Sequence, residues 1–318
     1  AGDRALYSNT TGQRNVALGA SALYANTTGN WNVAVGYSAL ASNVSGRMNT
    51  AVGHRALESS TNNNNSAFGY QALFSNRGGH ENVAVGAEAL FSNVSGQNNV
   101  AIGYQALYNN TSDTNVAIGY RSLYTNTTGN KNTSVGSQTL FYNTTGAYNS
   151  AFGSEALFKN TTGNYNTASG YQSLFDNTVG NANSASGYRS LYQNTTGSNN
   201  VANGYESLYA NTTGSSNIAI GYRALALNVS GNRNTAVGQE SLYSNTTGNY
   251  NIAIGYRSLN DNTTGSYNTA SGYQALSNNT EGDQNSSFGN EALYSNTTGS
   301  NNSAFGAYSL RSNSTGSE

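Results

Sequence analysis

The stretch Asn251-Ile252-Ala253-Ile254-Gly255-Tyr256-Arg257-Ser258-Leu259 decides the fold, because it returns along the whole chain. Seventeen residues earlier stands Asn234-Thr235-Ala236-Val237-Gly238-Gln239-Glu240-Ser241-Leu242, and seventeen later Asn268-Thr269-Ala270-Ser271-Gly272-Tyr273-Gln274-Ala275-Leu276. The glycine of this motif recurs at Gly2, Gly19, Gly36, Gly53, Gly69, Gly86, Gly103, Gly119 and Gly136, then every 17 residues from Gly153 to Gly306. The period shortens to 16 only in the repeats at 53–68 and 103–118. Self-similarity at a fixed short period marks a solenoid, in which one repeat cannot bury its apolar face alone and neighbours complete the core.

Several columns explain the repeat. A leucine follows the glycine by four residues in every repeat, from Leu6 to Leu310, and a position that is never polar is buried. An asparagine precedes the glycine by four, from Asn15 to Asn302, where stacked amides can bond along a solenoid. A second asparagine opens an Asn-Thr-Thr-Gly loop, with Ser60 its single exception. Asn suits turns, and the loop glycine is expected to supply a positive φ. Both shortened repeats lose residues in this loop, which is where deletions are absorbed. Segments such as Val16-Ala17-Leu18 and Val33-Ala34-Val35 alternate with period two and read as strands. The residues after the glycine read as a further strand or a tight turn.

The column two residues past the glycine reads Arg189, Glu206, Arg223, Glu240, Arg257. Parallel coils stack at about 4.8 Å, where opposite charges face each other favourably, so the alternation acts as a register ladder. The aromatic column Phe74, Phe91, Tyr108, Tyr124, Phe141, Phe158, Phe175, Tyr192, Tyr209 indicates rings stacked coil upon coil over the leucine row. The expected fold is all-β: a single parallel β-solenoid, or β-roll, over 1–318, with about nineteen coils of 17 residues. At about 4.8 Å per coil this gives a rod on the order of 90 Å long.

Such a coil buries few apolar side chains. The column before the glycine, apolar at Leu18, Val35 and Phe68, turns polar at Ser169, Ser186, Asn203 and Ser271, which would interrupt a single-chain core. The small Ala-Gly face offers close approach to another chain. Thin cores call for oligomerisation, so a homotrimer is expected, with a monomeric solenoid as the competing reading.

Composition narrows function. Only 8% of the 318 residues are charged, and 13 Lys and Arg stand against 14 Asp and Glu, which gives nucleic acid or anionic membrane no electrostatic purchase. A mean hydropathy of −0.54 with abundant Asn, Gly, Ser and Thr would by itself suggest disorder, and the periodicity overrides that. There is no cysteine, hence no disulfide and no thiolate metal site. No stretch approaches the roughly 20 apolar residues of a spanning helix. The first residues, Ala1-Gly2-Asp3-Arg4, lack an initiating Met and signal-peptide character, and neither end carries an atypical capping repeat. The expectation is a segment of a longer fibre, with end-to-end stacking into a filament as the other reading.

Repeats such as Asn32-Val33-Ala34-Val35-Gly36 and Asn99-Val100-Ala101-Ile102-Gly103 resemble those in the head of trimeric autotransporter adhesins. The fuller form, at Leu293 to Gly299, resembles repeats of bacterial and phage tail-fibre-like proteins. The resemblance spans essentially the whole chain, although the period exceeds that of the adhesin head. It implies a trimer of left-handed parallel β-rolls, an extracellular, cell-surface or virion-surface location, and attachment to a surface carbohydrate or host receptor.

Catalytic chemistry has little support. His54 and His80 read as solvated imidazoles, no carboxylate pair is marked as an acid and base, and the glycines do not form a phosphate cradle. No enzyme, cofactor or metal is expected. Asn-x-Ser/Thr sequences at Asn9, Asn26, Asn43, Asn93, Asn110, Asn126, Asn143, Asn160, Asn194, Asn211, Asn228, Asn245, Asn262, Asn296 and Asn313 are candidate glycan acceptors, with turn chemistry the simpler account. Ice binding is disfavoured, because neighbours such as Thr10 and Thr11 would point to opposite faces. The function expected is a structural surface fibre or adhesin shaft. The alternatives are a carbohydrate- or receptor-binding tail-fibre region and a glycan-coated filament.

Overall fold

The computed structural model describes residues 2–317 and is a parallel β-solenoid. Its regular elements are eighteen strands of three residues each, with no helix among the described residues. The chain forms two compact units, residues 1–162 and 163–318, each with nine strands. Within each unit every strand pairs in parallel with the next, one repeat on: Val16 lies opposite Val33, and Val201 opposite Ile218. The register holds across both shortened repeats, with Thr50 opposite Ser66 and Val100 opposite Val116. Both deletions are therefore taken up outside the strand.

Strand alternation is as expected, but the inner face is the opposite of the one hydrophobicity suggests. The central residue, alanine except at Ser134 and Ser287, is buried in every strand but the first, as at Ala34, Ala101 and Ala253, while its two neighbours point outward. Ile252 and Ile254 are 41% and 45% exposed around the fully buried Ala253. The core is thus not interrupted at Ser169, Ser186, Asn203 and Ser271, since that column lies outside it. Nor is the Ala-Gly face open to another chain: alanine, leucine and both asparagine columns fill the coil.

Past the glycine the chain runs through tight turns and forms no second strand. Three ordinary residues per coil adopt left-handed backbone, as Ser216, Arg223 and Leu225 show with φ of 61°, 51° and 54°. Each costs about 1–2 kcal/mol relative to right-handed backbone. The leucine's burial returns about 2–3 kcal/mol, and the turns lose no hydrogen bonds, because each coil continues to bond its neighbours. Arg223 N donates to Tyr205 O at 2.9 Å, and Leu225 N donates to Ser241 O at 2.9 Å.

The two glycine columns have different causes. Gly221 has φ of 132°, and a Cβ there would lie 2.6 Å from the Gly238 carbonyl oxygen of the next coil. The loop glycines lack the positive φ expected of them. They are needed for space: a Cβ on Gly265 would lie 2.5 Å from both Asn262 Oδ1 and Gly282 O.

Candidate interaction surfaces

Two asparagine ladders run from coil to coil within each unit. In the loop ladder, Asn211 Nδ2 donates to Asn194 Oδ1 at 2.8 Å and to Gly214 O at 2.9 Å, while its Oδ1 accepts from Asn228 Nδ2 at 2.8 Å. In the strand ladder, Asn217 N and Nδ2 donate to Asn200 Oδ1 at 3.0 and 3.2 Å, and Nδ2 also reaches Gly231 O at 2.8 Å. A buried amide is tolerated only when its hydrogen bonds are made, and here they are made coil to coil.

This arrangement argues against the glycan acceptors. Asn26, Asn43, Asn93, Asn110, Asn126, Asn143, Asn160, Asn194, Asn211, Asn228, Asn245, Asn262 and Asn296 are fully buried, and Asn9 and Asn313 are half-buried members of the same ladder. The nitrogen that would carry a sugar is committed inside the coil.

The loop ladder breaks at the two shortened repeats. Ser60 Oγ and Asn43 Oδ1 are buried without a partner. At the second break Asn110 Nδ2 turns to Ser112 O, 2.8 Å away, and Asn93 Oδ1 is left unpaired. From Asn177 to Asn313 the ladder has no such orphaned oxygen among its described residues.

Two of the four neighbouring pairs in the charged column of residues 189–257 form ion pairs. Arg223 Nε lies 2.8 Å from Glu206 Oε2, and Arg257 Nε lies 2.6 Å from Glu240 Oε2. Arg189 Nε instead donates to Gln172 Oε1 at 2.8 Å. Bonding to these glutamates raises both arginines above their ordinary value. Sequence reasoning stopped at the charged members, yet glutamine extends the same ladder. Gln105 Nε2 donates to Glu88 Oε2 at 2.7 Å, and Arg121 Nε donates to Gln105 Oε1 at 2.8 Å.

Two aromatic columns stack over several successive coils. One is that of Phe91 and Tyr108, with centroids 5.0 Å apart and planes 3° off parallel. The other, one residue past the glycine, includes Tyr188 and Tyr205, also 5.0 Å apart. His54 belongs to this second column, between Tyr37 and Tyr70 at 5.2 and 5.4 Å. Arg189 lies over both Tyr188 and Tyr192 at 5.3 Å, joining the two columns. His80 Nδ1 lies 3.7 Å from Glu81 Oε2 on the surface. No group of His, Cys, Asp or Glu among the described residues could hold a metal ion, and no helix there is long and apolar enough to cross a membrane.

The outward strand columns form a separate face. In the first unit they carry Val83, Val85, Val100, Ile102, Val116 and Ile118 in consecutive coils. In the second unit the face is apolar around Ile218, Ile220, Ile252 and Ile254 and polar at Ser169, Ser186 and Asn203. No protein-family model matches the chain, nor does any curated protein or solved structure.

Proposed function

We propose that the chain is the shaft of an extracellular surface fibre, self-associating as a homotrimer through the outward face of its strands. The supporting observation is the apolar pair of outer strand columns, left exposed by a coil whose core is complete without them. Nine strands about 10 Å long at about 4.8 Å spacing give roughly 400 Å² of face per unit. In the first unit most of this face is apolar, which approaches the largest apolar patch an ordinary monomer carries, and such patches mark interaction surfaces. The balanced charge and the repetition suit an elongated scaffold.

A carbohydrate-binding shaft has weaker support, because rings stacked at about 5 Å turn their faces to each other and only their edges outward. The test is native mass by size-exclusion chromatography with light scattering. The native chain should run at three times its formula mass, and Val85→Asp with Ile102→Asp should run as a folded monomer, because both side chains point away from the core. A native monomer, or an unchanged oligomer in the double variant, would overturn the proposal.

A further inference from the structure

The tyrosine column has two one-coil gaps flanked by rings on both sides, at Ala87 and at Gln239. Tyr70 stacks on His54, with centroids 5.4 Å apart and planes 17° off parallel, and Tyr104 stacks on Tyr120 at 5.7 Å and 13°. The residue between Tyr70 and Tyr104 in this column is Ala87. Each tyrosine thus has one face covered by its stacked neighbour and the other turned toward the alanine coil. Two coil steps of about 4.8 Å separate the rings by about 10 Å. Subtracting the half-thickness of each ring leaves a gap of about 6.5 Å.

Glu88 follows Ala87 in the charged column, whose side chains lie beside the tyrosine rings. Arg223 sits 5.5 Å over Tyr222, and Arg189 sits 5.3 Å over Tyr188. Glu88 therefore borders the space where a ring is missing. Its Oε2 accepts from the Gln105 amide, and no cation pairs with it among the described residues. Glu206, Glu240 and Glu291 each hold an arginine at 2.8, 2.6 and 2.6 Å.

Two parallel electron-rich faces about 10 Å apart, with an unneutralised carboxylate between them, match a compact cation centred about 5 Å from each ring. A quaternary ammonium fits better than an ammonium or guanidinium, since it offers no N–H donors and is cheaply desolvated. We propose that the slot of Tyr70, Ala87 and Tyr104 binds a quaternary ammonium headgroup of the choline type, with Glu88 as its counter-ion. The column provides an internal contrast at Gln239, between Tyr222 and Tyr256. There Arg257 lies 5.4 Å over Tyr256 and binds Glu240 at 2.6 Å, so the carboxylate bordering that gap already holds a cation, whereas Arg121, 6.0 Å over Tyr104, binds Gln105 and leaves Glu88 without one. One site per chain follows. The slot lies outside the strand face and does not depend on self-association.

Titration of the native protein with choline chloride, followed by calorimetry and tyrosine ring NMR, tests the site. Saturable millimolar binding at one site per chain is expected, with the perturbed rings those of Tyr70 and Tyr104. Ala87→Tyr restores the rung that the column carries elsewhere, so it should fold normally and abolish binding. Glu88→Gln should weaken binding about tenfold, as should replacing choline by its neutral isostere 3,3-dimethylbutan-1-ol. Sedimentation with phosphatidylcholine against phosphatidylglycerol vesicles separates the sources. Retention on the first, lost in Ala87→Tyr, supports a lipid headgroup; choline binding without retention supports a soluble or polymer-borne one. No choline binding, unchanged binding in Ala87→Tyr or Glu88→Gln, or equal affinity for the neutral isostere would overturn the proposal.

Discussion

Asn211→Ala isolates what one rung of the loop ladder contributes. The substitution deletes the donations of Asn211 Nδ2 to Asn194 Oδ1 and Gly214 O and the acceptance from Asn228 Nδ2. Gly214 O keeps Asn200 Nδ2 at 2.9 Å, and Asn228 Nδ2 keeps Gly231 O at 3.0 Å. The unpaired remainder is therefore the Asn194 Oδ1 acceptor and one N–H of Asn228, both fully buried. Each buried orphan costs about 1–3 kcal/mol, so the loss comes to about 3 kcal/mol or somewhat more. The neighbouring Thr212→Val is the control. Thr212 Oγ1 donates to Val229 O at 3.0 Å from an exposed position, and Val44, Val94 and Val229 already occupy that column, so its loss should stay below about 1 kcal/mol. Urea unfolding followed by circular dichroism on both variants gives the comparison. If Asn211→Ala is no worse than Thr212→Val, the ladders are incidental to the fold and the argument fails.

Amides around Asn43 and Asn93, next to orphaned ladder oxygens, should exchange with deuterium faster than those around Asn211 and Asn228; equal protection would mean the breaks carry no cost. Arg223→Glu places three glutamates in consecutive coils, so it should destabilise more than Arg223→Gln, by about 1 kcal/mol at low salt and less at 1 M salt. Burial raises the Asp261 carboxyl, partly countered by Arg257, so the folded chain holds this proton to higher pH than the unfolded one. Its contribution to stability therefore falls as pH rises through and above the ordinary carboxylate range, and Asp261→Asn should melt higher at neutral pH but like the native chain near about pH 2. Ser216, exposed with φ of 61°, should gain up to about 1 kcal/mol as Ser216→Gly and lose stability as Ser216→Val, read from melting curves.

The repeat, the strand, its register and the buried leucine were legible because a parallel stack makes every coil meet its own equivalent one period away. The orientation of the strand was not, because alternation defines two faces without saying which is inside. Hydrophobicity favoured valine and isoleucine for the interior, whereas the space between stacked coils is narrow and admits only alanine. Constancy was the better signal: the inner column is alanine except at Ser134 and Ser287, while the outer one ranges over Leu, Val, Phe, Ile, Ser and Asn. A close-packed interior tolerates little variation in volume, and a surface tolerates much. The left-handed residues were hidden for another reason. Leu, Arg and Glu have no preference for that backbone, and the neighbouring coils impose it.

The same logic bears on where function is written. Nearly invariant columns make the coil: the leucine, the two asparagines, the inner alanine and the two glycines. A ligand or partner can be specified only by columns free to vary, and two of these vary with physical consequence. The outer strand column varies between large apolar residues, as at Phe68 and Phe152, and small polar ones, as at Ser169 and Ser186, so under the proposed self-association opposing copies would not fit equally well in every register. The tyrosine column loses its ring at Ala87, beside a Glu88 that bonds the Gln105 amide and holds no cation among the described residues. A uniform stack of coils thereby acquires distinct addresses along its length without altering any residue that holds the coils together.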